Sequence, residues 1–431
     1  MRPPPPPGPY LVVGLARSGT AIATALHERG ERVIGHDAHE RETIAGIDQH
    51  SGGSGIELLD GVGCVVKSPG VPREAPLIVA ALERGIPVIG EMELAWRLLA
   101  NELVAVTGTN GKTTTVELIG AVHRAAGAPV ELAGNVGRAL SRLLLEPPAP
   151  DATIVCEASS FQLEDTLAFA PDAAVLLNLT EDHLDRHHTF ERYRDAKLRV
   201  FANQPASAIA VLPEALSVLA SGAAQPVLFG DGEQCALRHV GEELRWQGER
   251  VLATGELRMR APLEDAMAAA AVSLARGIPL VAVHDALVAF RGVAHRLEEI
   301  VEIDGVAYVN DSKATNVAST LVALQSFQPN SVLLILGGQG KGQDFSPLRE
   351  AVADKARHSY LIGEDAPVIA AALMGLPTSE IGTLELAVDL ARYAAKPGMV
   401  VLLSPACASF DQFESFETRG DAFRELVLGQ A

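Results

Sequence analysis

Cysteine is scarce and scattered. Cys64, Cys156, Cys235 and Cys407 form no C-x-x-C pair and no metal-ligand spacing. This excludes a disulfide framework and a zinc module, and it fits structural thiols in a reducing cytoplasm. Long apolar runs are missing too, since no stretch approaches the ~20 residues needed to span a bilayer. The amino-terminal MRPPPPPGPY is a proline tract without the apolar centre of a secretory signal, and it reads as a frayed tail outside the fold. Positive charge is also short. With 35 Lys and Arg against 54 Asp and Glu, the formal charge is −19, which argues against a nucleic-acid partner because phosphate backbones are held by basic surfaces. Small anions at local clusters stay open.

The composition that remains, 48% hydrophobic and 21% charged over 431 residues, is that of an ordinary globular protein. Such a length implies roughly two to four domains. Strands alternate with amphipathic helices along the chain, so the fold class is α/β with parallel sheets.

The stretch VTGTNGKTTT (106–115) follows the apolar, β-branched run Leu103 to Thr107 and precedes helical spacing over Thr113 to Arg124. Gly108 and Gly111 therefore lie in a tight strand-to-helix turn. Glycine there lets backbone N–H groups converge on an anion at the positive end of the helix. Lys112 adds a mobile charge and Thr113 a hydroxyl suited to Mg²⁺. The strict phosphate-loop pattern would place glycine at Val106, and it does not stand there. The loop implies ATP or GTP but does not say whether water, a hydroxyl or a carboxylate receives the phosphate.

The first unit runs from Tyr10 to about Glu93. Its turn, Gly14-Leu15-Ala16-Arg17-Ser18-Gly19, is a dinucleotide fingerprint with alanine at the middle glycine. That glycine lets backbone approach a pyrophosphate, so its loss weakens the case for NAD while leaving a nucleotide-like anion open. Asp37 ends the next strand, and Ser68-Pro69-Gly70 follows the strand CVVK as a further part of the rim.

The second unit, Leu94 to Gly292, sets Glu157 at the end of the strand TIVC, where a carboxylate beside a phosphate loop can hold Mg²⁺. The strand AVLLNL runs into TEDHLDRHH, whose acids and His183 form either a second metal site or a solvated loop. From about Val293 a third unit places DSKATN, GGQGKGQDF and SPACASFDQFESF after apolar strands, on one edge of a sheet.

In order, TGTNGKTT, EASSFQLE, NLTEDHLDRH, YRDAKLRVF, HRLE, NDSKATN, LGGQGKGQDF and SPACASFDQFESFETRG resemble the Mur ligase family, and within it the branch that adds D-glutamate. The resemblance implies three domains: a Rossmann-like domain for the UDP-substrate (1–93), a central ATP-binding P-loop domain (94–292) and a Rossmann-like amino-acid-binding domain (293–431). It implies an ADP-forming ligase in peptidoglycan-precursor synthesis. ATP phosphorylates the carboxylate of UDP-N-acetylmuramoyl-L-alanine, and the amine of D-glutamate attacks the acyl phosphate. The enzyme is expected to be a cytoplasmic monomer with no nucleic-acid or membrane partner.

Carried onto these positions, Gly108, Thr109, Asn110, Gly111, Lys112, Thr113 and Thr114 would hold the ATP phosphates. Thr113 and Glu157 would hold a first Mg²⁺, and His183 with a carbamylated Lys197 a second. Leu15, Ala16, Asp37 and Gly70 would meet the uridine diphosphate end, and Asn135 the muramoyl group. Arg296 and Lys313 would close over the phosphates, with Asp311 near the ribose. Thr315, Lys341, Ser409 and Phe416 would surround D-glutamate. Two departures stand out. Asp265 replaces an asparagine expected to read adenine, and Ala16 and Arg17 lie in a variable stretch. Sister ligases and folylpolyglutamate synthase share the ATP loop, although the DNPR motif of the diamino-acid enzyme is absent. A nucleotide-gated interaction protein is the alternative from another class, and amino-acid-dependent ADP release separates the two.

Overall fold

The computed structural model describes residues 2–259, 262–340 and 342–429. The chain divides into two compact units, Met1–Leu257 with Pro262–Ala289 and Arg258–Ala261 with Phe290–Ala431.

The first unit contains two sheets. One has the strand order Asp48–Ser51, Val33–Asp37, Tyr10–Val13, Cys64–Lys67, Val88–Gly90, all parallel. Tyr10 to Val13 are all buried because the pleat sends alternate side chains to opposite covered faces. Tyr10 and Val12 pack with Ile22 and Leu26 of the helix Arg17–Glu28. Leu11 and Val13 pack with Leu77 and Ile78 of Pro76–Glu83.

The other sheet has nine strands. Its parallel centre runs Val130–Gly134, Thr153–Glu157, Leu103–Thr107, Ala173–Leu176, Ile209–Pro213. An antiparallel ribbon, Leu237–Val240, Glu243–Trp246 and Glu249–Ala253, finishes one edge. Register aligns Val106 with Glu157, Thr107 with Leu176 and Gly134 with Glu157. Four carboxyl ends therefore open side by side, which is where parallel sheets place ligands.

The proline tract is not a frayed tail. The Arg2 guanidinium donates to the carbonyls of Trp96, Leu99 and Asn101 and lies 5.1 Å from the centre of the Trp96 ring. Arg97 donates to the Pro4 carbonyl at 2.6 Å, and the Tyr10 hydroxyl to that of Pro6 at 2.5 Å. Proline already fixes the backbone, so docking the tract costs little conformational entropy. A cation at the end of the helix Glu91–Leu98 also suits the helix dipole.

The second unit has one sheet ordered Glu298–Ile303, Val306–Asn310, Val400–Leu403, Val332–Gly337, Ala356–Ile362, Thr378–Gly382. Only its first strand is antiparallel to its neighbour. Asn310 and Ile335 both register with Leu403, so the loops after these three strands leave one edge together. No helix among the described residues is long and apolar enough to cross a membrane.

Candidate active site

The phosphate loop joins Leu103–Thr107 to the helix Lys112–Ala125, with Gly111 at φ 83° as the residue before the helix. A methyl group on Gly111 would collide with the Asp265 carboxylate. The close approach and the left-handed φ both require glycine. Lys112 reaches back over the loop, with Nζ donating to the carbonyls of Gly108 at 3.0 Å and Thr109 at 2.8 Å.

Register places Glu157 beside this loop, and its two carboxylate oxygens are used separately. Oε2 accepts from the Thr113 hydroxyl at 2.8 Å, and Oε1 from the Asn135 amide at 3.1 Å. Glu157 is 3% exposed and Thr113 9%, so a hydroxyl and a carboxylate oxygen face each other in a sheltered place. Thr114 is also buried, on the same first turn.

Lys197 projects from the helix Phe190–Ala202 and is 2% exposed. Its Nζ donates to the Gly108 carbonyl at 2.7 Å and lies 4.6 Å from the centre of the Tyr193 ring. Burial above all, with the Lys112 charge second, pulls the amine down to about 7, against the weaker pull of Asp182 and Glu157. His183 sits half exposed in the left-handed region, its ring centre 6.4 Å from that of Tyr193. Lys197 and His183 therefore border the same ring. Among the described residues no group of three or more His, Cys, Asp and Glu side chains could hold a metal.

Several residues here carried no individual signal in the sequence. The Asn178 side-chain oxygen accepts from the amides of Thr109 at 3.0 Å and Asn110 at 2.9 Å, fixing the loop. The strand itself ends at Leu176, inside the apolar run AVLLNL expected to form it. Thr109 Oγ1 accepts from the Tyr193 hydroxyl at 3.0 Å and from the Thr180 amide at 3.1 Å. Tyr193 lies four residues before Lys197, and that helical spacing was the one available clue.

In the first sheet, Asp37 is 6% exposed and its Oδ2 accepts from the Leu15 amide at 2.7 Å. Burial pushes the carboxyl up, but the His39 and Leu15 amides and Arg41 outweigh it and hold it below its ordinary value. Ala16 and Arg17 are exposed, and Gly70 faces open space. Leu15, Asp37 and Gly70 thus gather on the rim of one sheet.

In the second unit, Asp311 is buried, accepting from the Ser404 hydroxyl at 2.7 Å and the Leu297 amide at 3.2 Å. Burial raises it to about 7, against those hydrogen bonds and the Arg296 charge. The Lys313 amide donates to the His295 carbonyl at 2.9 Å, which ties the HRLE and NDSKATN segments together. Arg419, 1% exposed, donates to the Ser312 hydroxyl at 2.9 Å and the Cys407 carbonyl at 3.0 Å, locking the loops after two strands. Ser409 is buried, and its hydroxyl has no hydrogen-bond partner among the described residues. Phe416 begins the helix Phe416–Leu428, and Thr315 lies in the turn before the helix Val317–Gln325. Lys341 lies outside the described residues.

Comparison with known proteins agrees with this layout. Residues 9–90 match the Mur ligase MurD-like N-terminal domain, 106–230 the Mur ligase middle domain and 295–407 the Mur ligase glutamate ligase domain. The UDP-N-acetylmuramoylalanine–D-glutamate ligase of Acidobacterium capsulatum is 41% identical, covering 97% of this chain and 95% of its own. The protein of the same name from Pelotomaculum thermopropionicum is also 41% identical, covering 97% of each chain. Among solved structures, the UDP-N-acetylmuramate-alanine ligase MurC of Thermotoga maritima superposes with a TM-score of 0.58 at 20% identity, covering 98% of this chain and 99% of that one. MurF of the same organism, solved with ADP, gives 0.56 at 17% identity, covering 98% and 96%. At such identity these two bear on the fold alone. The chain belongs to the Mur ligase family and has its three-domain α/β architecture.

Proposed function

We propose that the chain joins D-glutamate to UDP-N-acetylmuramoyl-L-alanine at the expense of ATP, through an acyl phosphate, as a monomer in the cytoplasm. The acceptor and the amine follow from the activity named for the near-full-length relatives. The observation that carries the phosphoryl-transfer half is the Thr113–Glu157 pair beside the glycine cradle. A hydroxyl and a carboxylate are the hard oxygen donors that Mg²⁺ takes, so these residues fit that ion. When bound, it neutralises charge on the transferring phosphoryl group.

The work divides over 1–93 for the UDP-substrate, 94–292 for ATP and 293–431 for the amino acid. Leu15, Ala16, Asp37 and Gly70 hold the uridine diphosphate end, and Asn135 meets the muramoyl group. The backbone amides from Gly108 to Thr114 hold the ATP phosphates, and Lys112 swings from the loop carbonyls onto the γ-phosphate. Arg296 and Lys313 add positive charge, with Asp311 toward the ribose and Asp265 toward adenine. An ionised Asp265 accepts from the adenine amino group but cannot donate to a ring nitrogen. Thr315, Lys341, Ser409 and Phe416 surround D-glutamate, and the unpartnered Ser409 hydroxyl supports that reading.

The amine of Lys197 does not suit a metal as it stands. Its low proton affinity supports carbamylation, because only a neutral amine adds to carbon dioxide, forming the N–C bond and releasing one proton. The resulting carboxylate, with His183, would hold a second Mg²⁺.

In the reaction a carboxylate oxygen of the substrate bonds to the γ-phosphorus and ADP leaves. The D-glutamate nitrogen then bonds to the acyl carbon and gives up a proton, and phosphate departs with that oxygen. Substrate carrying ¹⁸O in its alanyl carboxylate should deliver label to the released phosphate, and ADP release should follow D-glutamate in an amino-acid panel. Unlabelled phosphate from a reaction that makes the amide, or equal turnover with L-glutamate or L-alanine, would overturn the proposal.

A further inference from the structure

Lys67 is completely buried and plays no part in the chemistry above. It ends the strand Cys64–Lys67, directly before the turn Ser68 to Val71 that contains Gly70. Its Nζ donates to the Val71 carbonyl at 2.7 Å and pairs with Asp165 at 2.6 Å and Glu164 at 4.0 Å. Glu164 closes the EASSFQLE segment that follows a strand of the nine-stranded sheet, and Asp165 comes directly after it. Arg186 lies three residues beyond His183 and reaches the same carbonyl. It donates to the Val71 carbonyl at 2.9 Å and to Glu164 at 3.3 Å. One carbonyl of the first-sheet rim is thus gripped by two cations that belong to different parts of the site. On its far side the turn is seated on the glycine loop, where the Ser68 hydroxyl donates to the Gly14 carbonyl at 2.6 Å. Around the grip, Arg73 pairs with Asp165 at 3.5 Å, and the Gly90 amide donates to the Asp165 carbonyl at 2.9 Å.

A buried ion pair is a poor source of stability, since apolar residues of similar volume do as well or better. What it supplies is geometry, because charges out of water tolerate little displacement. We infer that Lys67 and Arg186, through the Val71 carbonyl, are positioning residues that fix the span between the rim that holds the uridine diphosphate and the His183 segment where the substrate carboxylate reacts. The inference rests on the assignment of that rim. The substrate is held at both ends, so a rim that drifts binds one end or presents the other, but not both. Neither residue touches the reacting atoms.

The decisive experiment separates geometry from stability. Lys67→Met alone leaves the buried Asp165 carboxylate without its closest cation and so threatens folding, and Lys67→Met/Asp165→Leu is made alongside it to remove both charges. The double variant should recover the thermal midpoint of the parent. Its KM for UDP-N-acetylmuramoyl-L-alanine should still rise about tenfold, the value of one lost charge-assisted hydrogen bond, with KM for ATP unchanged. Arg186→Met should shift the same constant in the same direction. N-acetylmuramoyl-L-alanine, which lacks the uridine diphosphate, should react equally slowly with parent and double variant, because it has no second end to register. A double variant with parental midpoint and parental KM would overturn the inference alone. Failure of uridine diphosphate itself to bind the parent would overturn the rim assignment and the inference with it.

Discussion

The Lys197 side chain donates a 2.7 Å hydrogen bond to the Gly108 carbonyl, across 89 residues of chain. Lys112 donates to the same oxygen at 3.0 Å. Two lysines thus converge on one loop carbonyl, and the repulsion adds to burial in lowering the proton affinity of Lys197.

This arrangement sets activity against stability. Lys197 is lowered from 10.5 to about 7, so between these values the unfolded chain keeps a proton that the folded chain has released. Stability therefore rises with pH across that window, and burial of this amine costs most near its lower end. Lys197→Met should abolish ligation yet raise the thermal midpoint at pH 7.5 in carbon-dioxide-free buffer, where Lys112 still satisfies the carbonyl. A lowered midpoint would contradict this account. Short carboxylic acids should restore part of the activity of Lys197→Ala.

Gly111→Ala tests the phosphate cradle. Its positive φ and the nearby Asp265 carboxylate each oppose a side chain, and a strained backbone costs about 1–3 kcal/mol. ATP binding measured by calorimetry should weaken at least about tenfold by that cost. Adding Asp265→Ala should recover part of the loss, because it removes the collision and leaves the strained φ.

Asp311 has the opposite pH signature to Lys197. Burial raises its carboxyl from 3.8 to about 7, so its favourable contribution is complete below 3.8 and is lost as pH rises through 7. Asp311→Asn should remove that slope. Urea unfolding from pH 4 to 7.5 should show the parent losing stability relative to the variant, and parallel curves would refute the assignment.

Arg2→Ala should cost about 1–3 kcal/mol in urea unfolding through its lost carbonyl hydrogen bonds. Faster proteolysis between Leu98 and Leu103 should accompany the loss.

Parts of this site could be read because they are local. A strand, a glycine turn and a helix within VTGTNGKTTT carry their own geometry, and Glu157 announces itself at a strand end. In the structure Thr113 and Asn135 both donate to Glu157, and Lys197 donates to the Gly108 carbonyl of the loop. The unread parts depend on contacts remote in sequence. Asn178 meets the loop 68 residues away and Lys67 meets Asp165 only through tertiary folding. Arg2 finds its carbonyls more than ninety residues downstream, so a proline tract that looks disordered by composition is ordered by partners the local pattern does not contain.

That last contact also has a direction in time. A chain is made from its amino end and its domains generally fold in that order, so Arg2 is synthesised well before Trp96, Leu99 and Asn101, and the first sheet, complete at Gly90, can form while the tract still lacks its dock. Asp172, whose carboxylate pairs with Arg2 at 3.8 Å and also accepts from the Leu103 amide, arrives later still. The tract's carbonyl partners thus precede the first strand of the second sheet, and only the Asp172 contact waits for that sheet, so the tract acts as a latch with a catch made early and a keeper delivered after it.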